Sequence, residues 1–280
     1  MLRFVSIVCL LTPLSAQWIH FPTAGVPRTR DGKPNFAAPA PKTREGKPDF
    51  SGMWWSGDTA LPCPESNGGP KDCAEKGLGL AGQQGAGLTA PTTNIASGLA
   101  GGLPYTPWAL EAIKQRQADP LGDPHVHCLP SSPPRGYTLP HMQKIVQTPG
   151  LLLILNEYNA SYRQIFTDGR ALPEDPLPAW NGYSSAKWEK DTLVVESIGF
   201  RDDLWLDMRG NPLTEAARVT ERIRRPNYGS LEIEFTVNDP KAYTKPWTVT
   251  LHQFLVMDTE MMDEICLENE KSVQHTPVNK

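Results

Sequence analysis

Asp203, Asp207 and Glu221 are the carboxylates of this chain best placed to do chemistry. Two carboxyl groups converging in a cavity rich in aromatics would supply a general acid and a general base, the arrangement a hydrolase or lyase requires. Glu157 and Asp168 are further acids that could complete such a pair. Against this reading, Asp168-Gly169 has the composition of an ordinary turn, and Arg201 and Arg209 each stand two residues from an aspartate they could neutralise. The same region read as a binding site uses Tyr158, Trp188, Trp205 and Trp247 as an apolar wall. Arg163 and Glu221 would then be the polar handles that orient an apolar or aromatic ligand, or a saccharide. Any one of these tryptophans taken singly is ordinary core. His125-Val-His127 beside Cys128 sets two imidazoles on one side of an extended segment, as a metal site would. The plainer reading is a solvent-exposed loop beside a disulfide, and the cysteines show neither CxxC spacing nor a suitable histidine pair, so neither a metal nor another cofactor is expected. The chain also lacks a phosphate loop, a nucleophile elbow and an HExxH helix. Small-molecule binding therefore ranks first, a carboxylate enzyme second and a structural envelope protein third.

Positioning those residues falls to strands. From residue 143 onward the apolar residues alternate with polar ones, and short turn sequences punctuate them. The strands expected are 143–147, 151–158, 162–167, 183–188, 192–197, 216–225, 230–237 and 247–257. Their turns include Asn159-Ala160, Asp168-Gly169, Glu189-Lys-Asp191 and Pro226-Asn-Tyr-Gly229. Eight successive strands over 143–257 describe an antiparallel meander, which removes its edges by curling into a barrel or strongly bent sheet. The fold class is mainly β and calycin-like or lipocalin-like, with one short helix and a long irregular N-terminal region. In the hairpin from Ala216 to Val237, strand parity puts Ala217, Val219, Glu221 and Ile223 on the face of Leu231, Ile233, Phe235 and Val237. That face should be buried, with Glu232 and Glu234 exposed opposite an arginine stripe. Glu221 is the exception on the apolar side, and an unpaired carboxylate there is costly, so it should have an inward partner or line a wet cavity.

Residues 1–16 read as a secretory signal peptide: Arg3, the apolar run Phe4–Leu11, then Leu14-Ser-Ala16 as a small-residue cleavage site. A secreted or periplasmic location follows, and no later stretch is long and apolar enough for a membrane span. Residues 17–50 form a Pro-rich arm containing a tandem repeat, Thr29-Arg-Asp-Gly-Lys-Pro-Asn-Phe36 and Thr43-Arg-Glu-Gly-Lys-Pro-Asp-Phe50, expected to run extended along the surface. Residues 51–280 are then a single β-rich domain, opening with a strand at Ser51-Gly-Met-Trp-Trp55. Within it, 77–103 is a Gly/Ala-rich stretch expected to be a flexible loop. A helix is expected over 107–117, with Thr106 as its N-cap and Pro107 at its first position.

Four cysteines remain after the signal, and in an oxidising compartment an even number implies disulfides. Three pairings are possible. Cys63 with Cys73 is the simplest, because the interval between them is turn-rich, and it leaves Cys128 with Cys266. Twenty-seven basic residues against 31 acidic ones, with no basic stripe, leave no footprint for nucleic acid.

Several stretches carry a family resemblance: Pro107-Trp-Ala, Cys128-Leu-Pro130, Ile145-Val-Gln-Thr-Pro-Gly150, Arg163-Gln-Ile-Phe-Thr-Asp-Gly-Arg170, Lys187-Trp-Glu-Lys-Asp-Thr-Leu-Val-Val-Glu196 and Asp239-Pro-Lys-Ala-Tyr243. Together with the tandem leader, they resemble a family of uncharacterised secreted bacterial proteins, a likeness that covers most of the mature chain and implies no particular reaction. That family usually has glycine where this chain has Lys190. Gly52-Met-Trp54 is similar to the opening strand of lipocalin-like barrels.

Overall fold

The computed structural model describes residues 22–56 and 90–268. The expected signal peptide, the Cys63–Cys73 interval and the first part of the Gly/Ala stretch lie outside the described residues. Nine strands close into a barrel: β1 (Gly52–Ser56), β2 (Gln143–Thr148), β3 (Leu151–Asn156), β4 (Tyr162–Phe166), β5 (Tyr183–Glu189), β6 (Thr192–Ile198), β9 (Arg218–Asn227), β10 (Ser230–Asn238) and β11 (Trp247–Val256). A two-stranded ribbon, β7 (Leu204–Trp205) with β8 (Pro212–Leu213), stands apart from it. All eight strands expected after residue 143 are present. Closure comes from β1, which pairs antiparallel with β11 on one side and β2 on the other.

The barrel is predominantly antiparallel, as the meander implied, with one parallel pair among its strands. β4 and β5 run parallel, with Ile165 opposite Ser184. Two neighbouring parallel strands cannot be joined by a hairpin, so the chain must travel back to the starting end. The Asp168-Gly169 turn, with Gly169 at φ +85°, launches that return instead of closing a hairpin. The returning strap spans 167–182, and Pro173, Pro176 and Pro178 keep it from adding a ladder of its own. The second departure is that β6 pairs with β9, the ribbon being inserted between them in sequence.

Period-two alternation fills the interior. Leu193, Val195, Val219, Ile223, Leu231, Ile233, Phe235 and Val237 are all buried, and Phe235 stands opposite Glu221 as parity requires. On the outer face Glu232 and Glu234 are half-buried rather than exposed. The arginine stripe there splits its partners: Arg224 pairs with Glu232, but Arg222 reaches Glu189 on β5 and Arg218 reaches Glu196 on β6.

Three short helices accompany the barrel: α1 (Ala90–Thr93), α2 (Pro107–Ala118) and α3 (Arg135–Thr138). α2 is the expected helix, and the Thr106 hydroxyl accepts a bond from the Ala109 amide. The stretch expected to be a loop is packed where it is described: Ile95 and Leu103 join the core, and the Ile95 amide donates to Asp207 (2.7 Å). Cys128 and Cys266 form the expected disulfide.

The arm is docked more firmly than a surface strand. Each repeat folds into the same turn, with the Thr29 and Thr43 amides donating to the Lys33 and Lys47 carbonyls at 2.8 Å and Gly32 and Gly46 both at positive φ. Their phenylalanines then part company. Phe36 lies 39% exposed against the β9–β10 turn, whereas Phe50 is fully buried and packs on Trp188, ring centroids 5.4 Å apart.

Candidate functional site

Glu221 on β9 and Arg163 on β4 meet inside the barrel, on strands with β5 and β6 between them. Arg163 Nη1 donates to Glu221 Oε1 (3.0 Å) and Nη2 to Oε2. The Tyr137 hydroxyl, carried in by α3, donates to Oε1 at 2.7 Å and accepts from Arg163 Nη1 at 2.8 Å. Nη2 also donates to Ser184 Oγ (3.1 Å) on β5 and Ser197 Oγ (3.0 Å) on β6, and the two hydroxyls bond each other at 2.8 Å. Glu221 is 0% exposed and Arg163 4%. Burial alone would lower the Arg163 pKa, but Glu221 and Tyr137 outweigh it and hold the guanidinium ionised, above its ordinary value. Burial, reinforced by the Glu221 charge, raises the Tyr137 phenol well above its usual range, so it stays protonated and donates. The carboxylate therefore has the inward partner its strand parity called for.

The space beside this network is small. A cavity lined by Arg163, Tyr137, Tyr158, Gln143 and Asn156 measures about 10 Å³, and a second one of about 10 Å³, sharing Ser131 with it, is lined by Trp205 and His125. Each has room for about one water. Arg163 Nε has no hydrogen-bond partner among the described residues. Tyr158 is buried, with its hydroxyl donating to the Ser131 carbonyl (3.2 Å), and burial pushes its pKa up to about 12.

The other expected site residues disperse. Trp247 packs edge-on against Tyr243 in the core, Trp188 packs on Phe50, and the Arg116 guanidinium lies over Trp205. Asp203 forms an exposed pair with Arg201, as its sequence neighbour suggested. Asp207 is buried and accepts from the amides of Ile95, Arg209 and Asn211, a turn that ties the chain after α1 to the ribbon. Asp203, Asp207 and Glu221 share no hydrogen-bond partner among the described residues. His125 Nδ1 meets Ser131 Oγ (3.0 Å) and His127 Nε2 meets the Leu121 carbonyl (2.6 Å), each ring occupied by its own loop. Among the described residues no three His, Cys, Asp or Glu side chains are grouped as metal ligands would be.

The larger space lies outside the barrel. A cleft of about 560 Å³ runs between the 167–182 strap and the outer face of β5, β6 and β9. Val194 and Ile198 on the floor and Leu172 and Pro173 on the strap give it apolar surface, and Lys187, Glu196, Arg218, Arg170 and Glu174 supply charge. The strap is held at its start, where Arg170 grips Asp168 and stacks on Phe166, and where the Ser185 hydroxyl donates to the Arg170 carbonyl. Toward its end Asn181 Nδ2 donates to the Tyr162 carbonyl (3.1 Å). Sequence reading missed this cleft because it follows from the parallel β4–β5 pairing, which no local pattern announces. It missed Tyr137, Ser184 and Ser197 for a related reason, since their importance appears only when distant strands meet. No family model matches this chain, and no curated protein matches it.

Proposed function

We propose that this chain is an extracytoplasmic small-molecule-binding barrel protein whose ligand lies in the cleft beneath the 167–182 strap, not inside the barrel. The observation that carries the reading is the cleft itself: about 560 Å³ falls within the roughly 300–1,000 Å³ typical of ligand sites. The interior beside Glu221 offers only water-sized space. In this reading the Arg163–Glu221–Tyr137 network keeps the wall under the cleft in shape, because Ser184 and Ser197 of that network lie on the strands that form the floor. The Cys128–Cys266 bridge supports an oxidising compartment, and so does the resemblance of the chain's motifs to a family of secreted bacterial proteins. The carboxylate-enzyme reading loses support because its three acids do not converge. The envelope reading loses support because the arm spends Phe50 on the core.

The test is a titration of phenolics, fatty acids and oligosaccharides into the isotopically labelled full chain, followed by amide chemical shifts. Shifts at Ser185, Lys187, Val194 and Glu196 are expected, and Ala171→Trp, which fills the cleft from an exposed strap position, should abolish them. A compound that instead shifts Tyr137 and Glu221 and binds equally well to Ala171→Trp would return the site to the interior.

A further inference from the structure

Every cleft charge except two is already committed. Arg170 is held by Asp168, and Arg218 by Glu196 at 3.2 Å. Lys187 and Glu174 have no hydrogen-bond or ion-pair partner among the described residues. Both are exposed, on opposite sides of the cleft: Lys187 projects from the outer face of β5 opposite Val194 of β6, on the floor, and Glu174 stands on the strap. The lining holds three cations, Arg170, Lys187 and Arg218, against two acids, Glu174 and Glu196, on a chain whose overall charge is −4. Asp168 neutralises Arg170 and Glu196 neutralises Arg218, so the charge the floor leaves to a ligand is that of Lys187, which borders the apolar surface of Val194, Ile198 and Leu172.

Resting on the reading of the cleft as the ligand site, we infer that its ligand is an amphipathic carboxylate, with the anionic group at Lys187 and the apolar body along Val194, Ile198 and Leu172. A neutral ligand would leave the exposed Lys187 ammonium without a counterpart and forgo the modest attraction of an ion pair there. A carboxylate supplies that counterpart, and the long lysine stem can still cover apolar surface beside it. Glu174 has no attractive role and should repel such a ligand weakly from the rim.

The experiment uses three eight-carbon probes, octanoate, octanol and 8-aminooctanoate, titrated into the full chain and its variants with the Lys187 and Val194 amides as reporters. Octanoate should bind most tightly, and raising the salt should weaken it, since partly exposed charges are screened. Lys187→Gln should cost octanoate about fivefold, as expected for an ion pair near the upper end of the exposed range, and leave octanol unchanged. Lys187→Arg should retain octanoate binding, and Glu174→Gln should strengthen it. Equal binding of octanoate and octanol, with no effect of Lys187→Gln, would overturn the carboxylate assignment and leave the cleft as the site. Tighter binding of 8-aminooctanoate than of octanoate would overturn it too, by giving Glu174 an attractive role. Failure of all the probes to shift the cleft amides, in a chain whose other ligands shift the interior, would overturn both readings together.

Discussion

Glu221→Gln tests what the interior network is for. The substitution keeps the volume and one acceptor oxygen, but it removes the charge facing Arg163, which is 4% exposed and receives its countercharge from Glu221 alone among the groups bonded to it. Breaking a buried ion pair by deleting one partner costs about 3–5 kcal/mol, because the other charge stays buried and uncompensated. Set against a total stability of about 5–15 kcal/mol, that is a large fraction. For a chain of this size it corresponds to a fall in Tm of roughly 6–20 °C. Replacing both partners together, Arg163→Met with Glu221→Leu, removes the stranded charge and should recover much of the loss. It should not recover all of it, because the Tyr137 hydroxyl loses its acceptor at a cost of about 1–3 kcal/mol. Denaturant unfolding of the wild type, Arg163→Met, Glu221→Leu and the double variant closes a thermodynamic cycle, with a coupling of at least about 2 kcal/mol expected. If Glu221→Gln unfolds within about 1 kcal/mol of the wild type, the pair is not a fold element. The carboxylate would then have to be present for a ligand or a reaction.

Lys190, at φ 56° in the β5–β6 turn, occupies a left-handed conformation that costs a side-chain-bearing residue about 1–2 kcal/mol. Lys190→Gly should therefore raise stability by about 0.5–1 kcal/mol in denaturant unfolding, and a loss would show that the Lys190 side chain matters more than its backbone. Phe50→Ala should cost about 3–5 kcal/mol, whereas Phe36→Ala in the matching position of the first repeat should cost about 1 kcal/mol or less. Equal effects would refute the docking of the arm. Burial, aided by Arg135, lowers the His125 pKa to about 4, below its ordinary value near 6.5. The unfolded chain thus binds the proton more readily, and the contribution of His125 is full above about pH 6.5 and lost as the pH falls toward 4, by roughly 2–3 kcal/mol. The stability difference between wild type and His125→Gln should change across that window, and a difference independent of pH would refute the assignment.

The strands were legible because burial on one face writes a period of two into Leu231–Val237 and its neighbours. The inward position of Glu221 followed from the same parity. The Cys128–Cys266 bridge followed from pairing by elimination. Tyr137 was not legible: it sits in the proline-rich connection before β2, where no periodicity assigns a face, and it reaches Glu221 only because α3 is folded into the barrel. The strap was misread for an instructive reason. Asp168-Gly169 is a good turn whichever way the chain leaves it, and the choice between a hairpin and a crossover is made by pairing between Ile165 and Ser184, not by the turn. The two repeats show the same limit. Nearly identical sequences fold into the same turn, yet one phenylalanine is core and the other half-solvated, because the turn is local and the burial is not.

The seam at β1 bears on the order in which the molecule can be finished. Met53 pairs with Val256 and Gly52 with Ile145, so the first strand of the barrel has both neighbours only after residue 256 has been made. During synthesis the β9–β10 hairpin and the β2–β4 strands can form from local contacts. The β1–β11 seam and the Cys128–Cys266 bridge must wait for β11 and Cys266. Long-range closure of this kind folds slowly, since loop entropy is paid before the contacts reward it. An unfinished chain therefore keeps an open sheet edge and stays unlocked until its C-terminal strand arrives, the condition a polypeptide must meet if it is to be moved through a narrow channel before it folds.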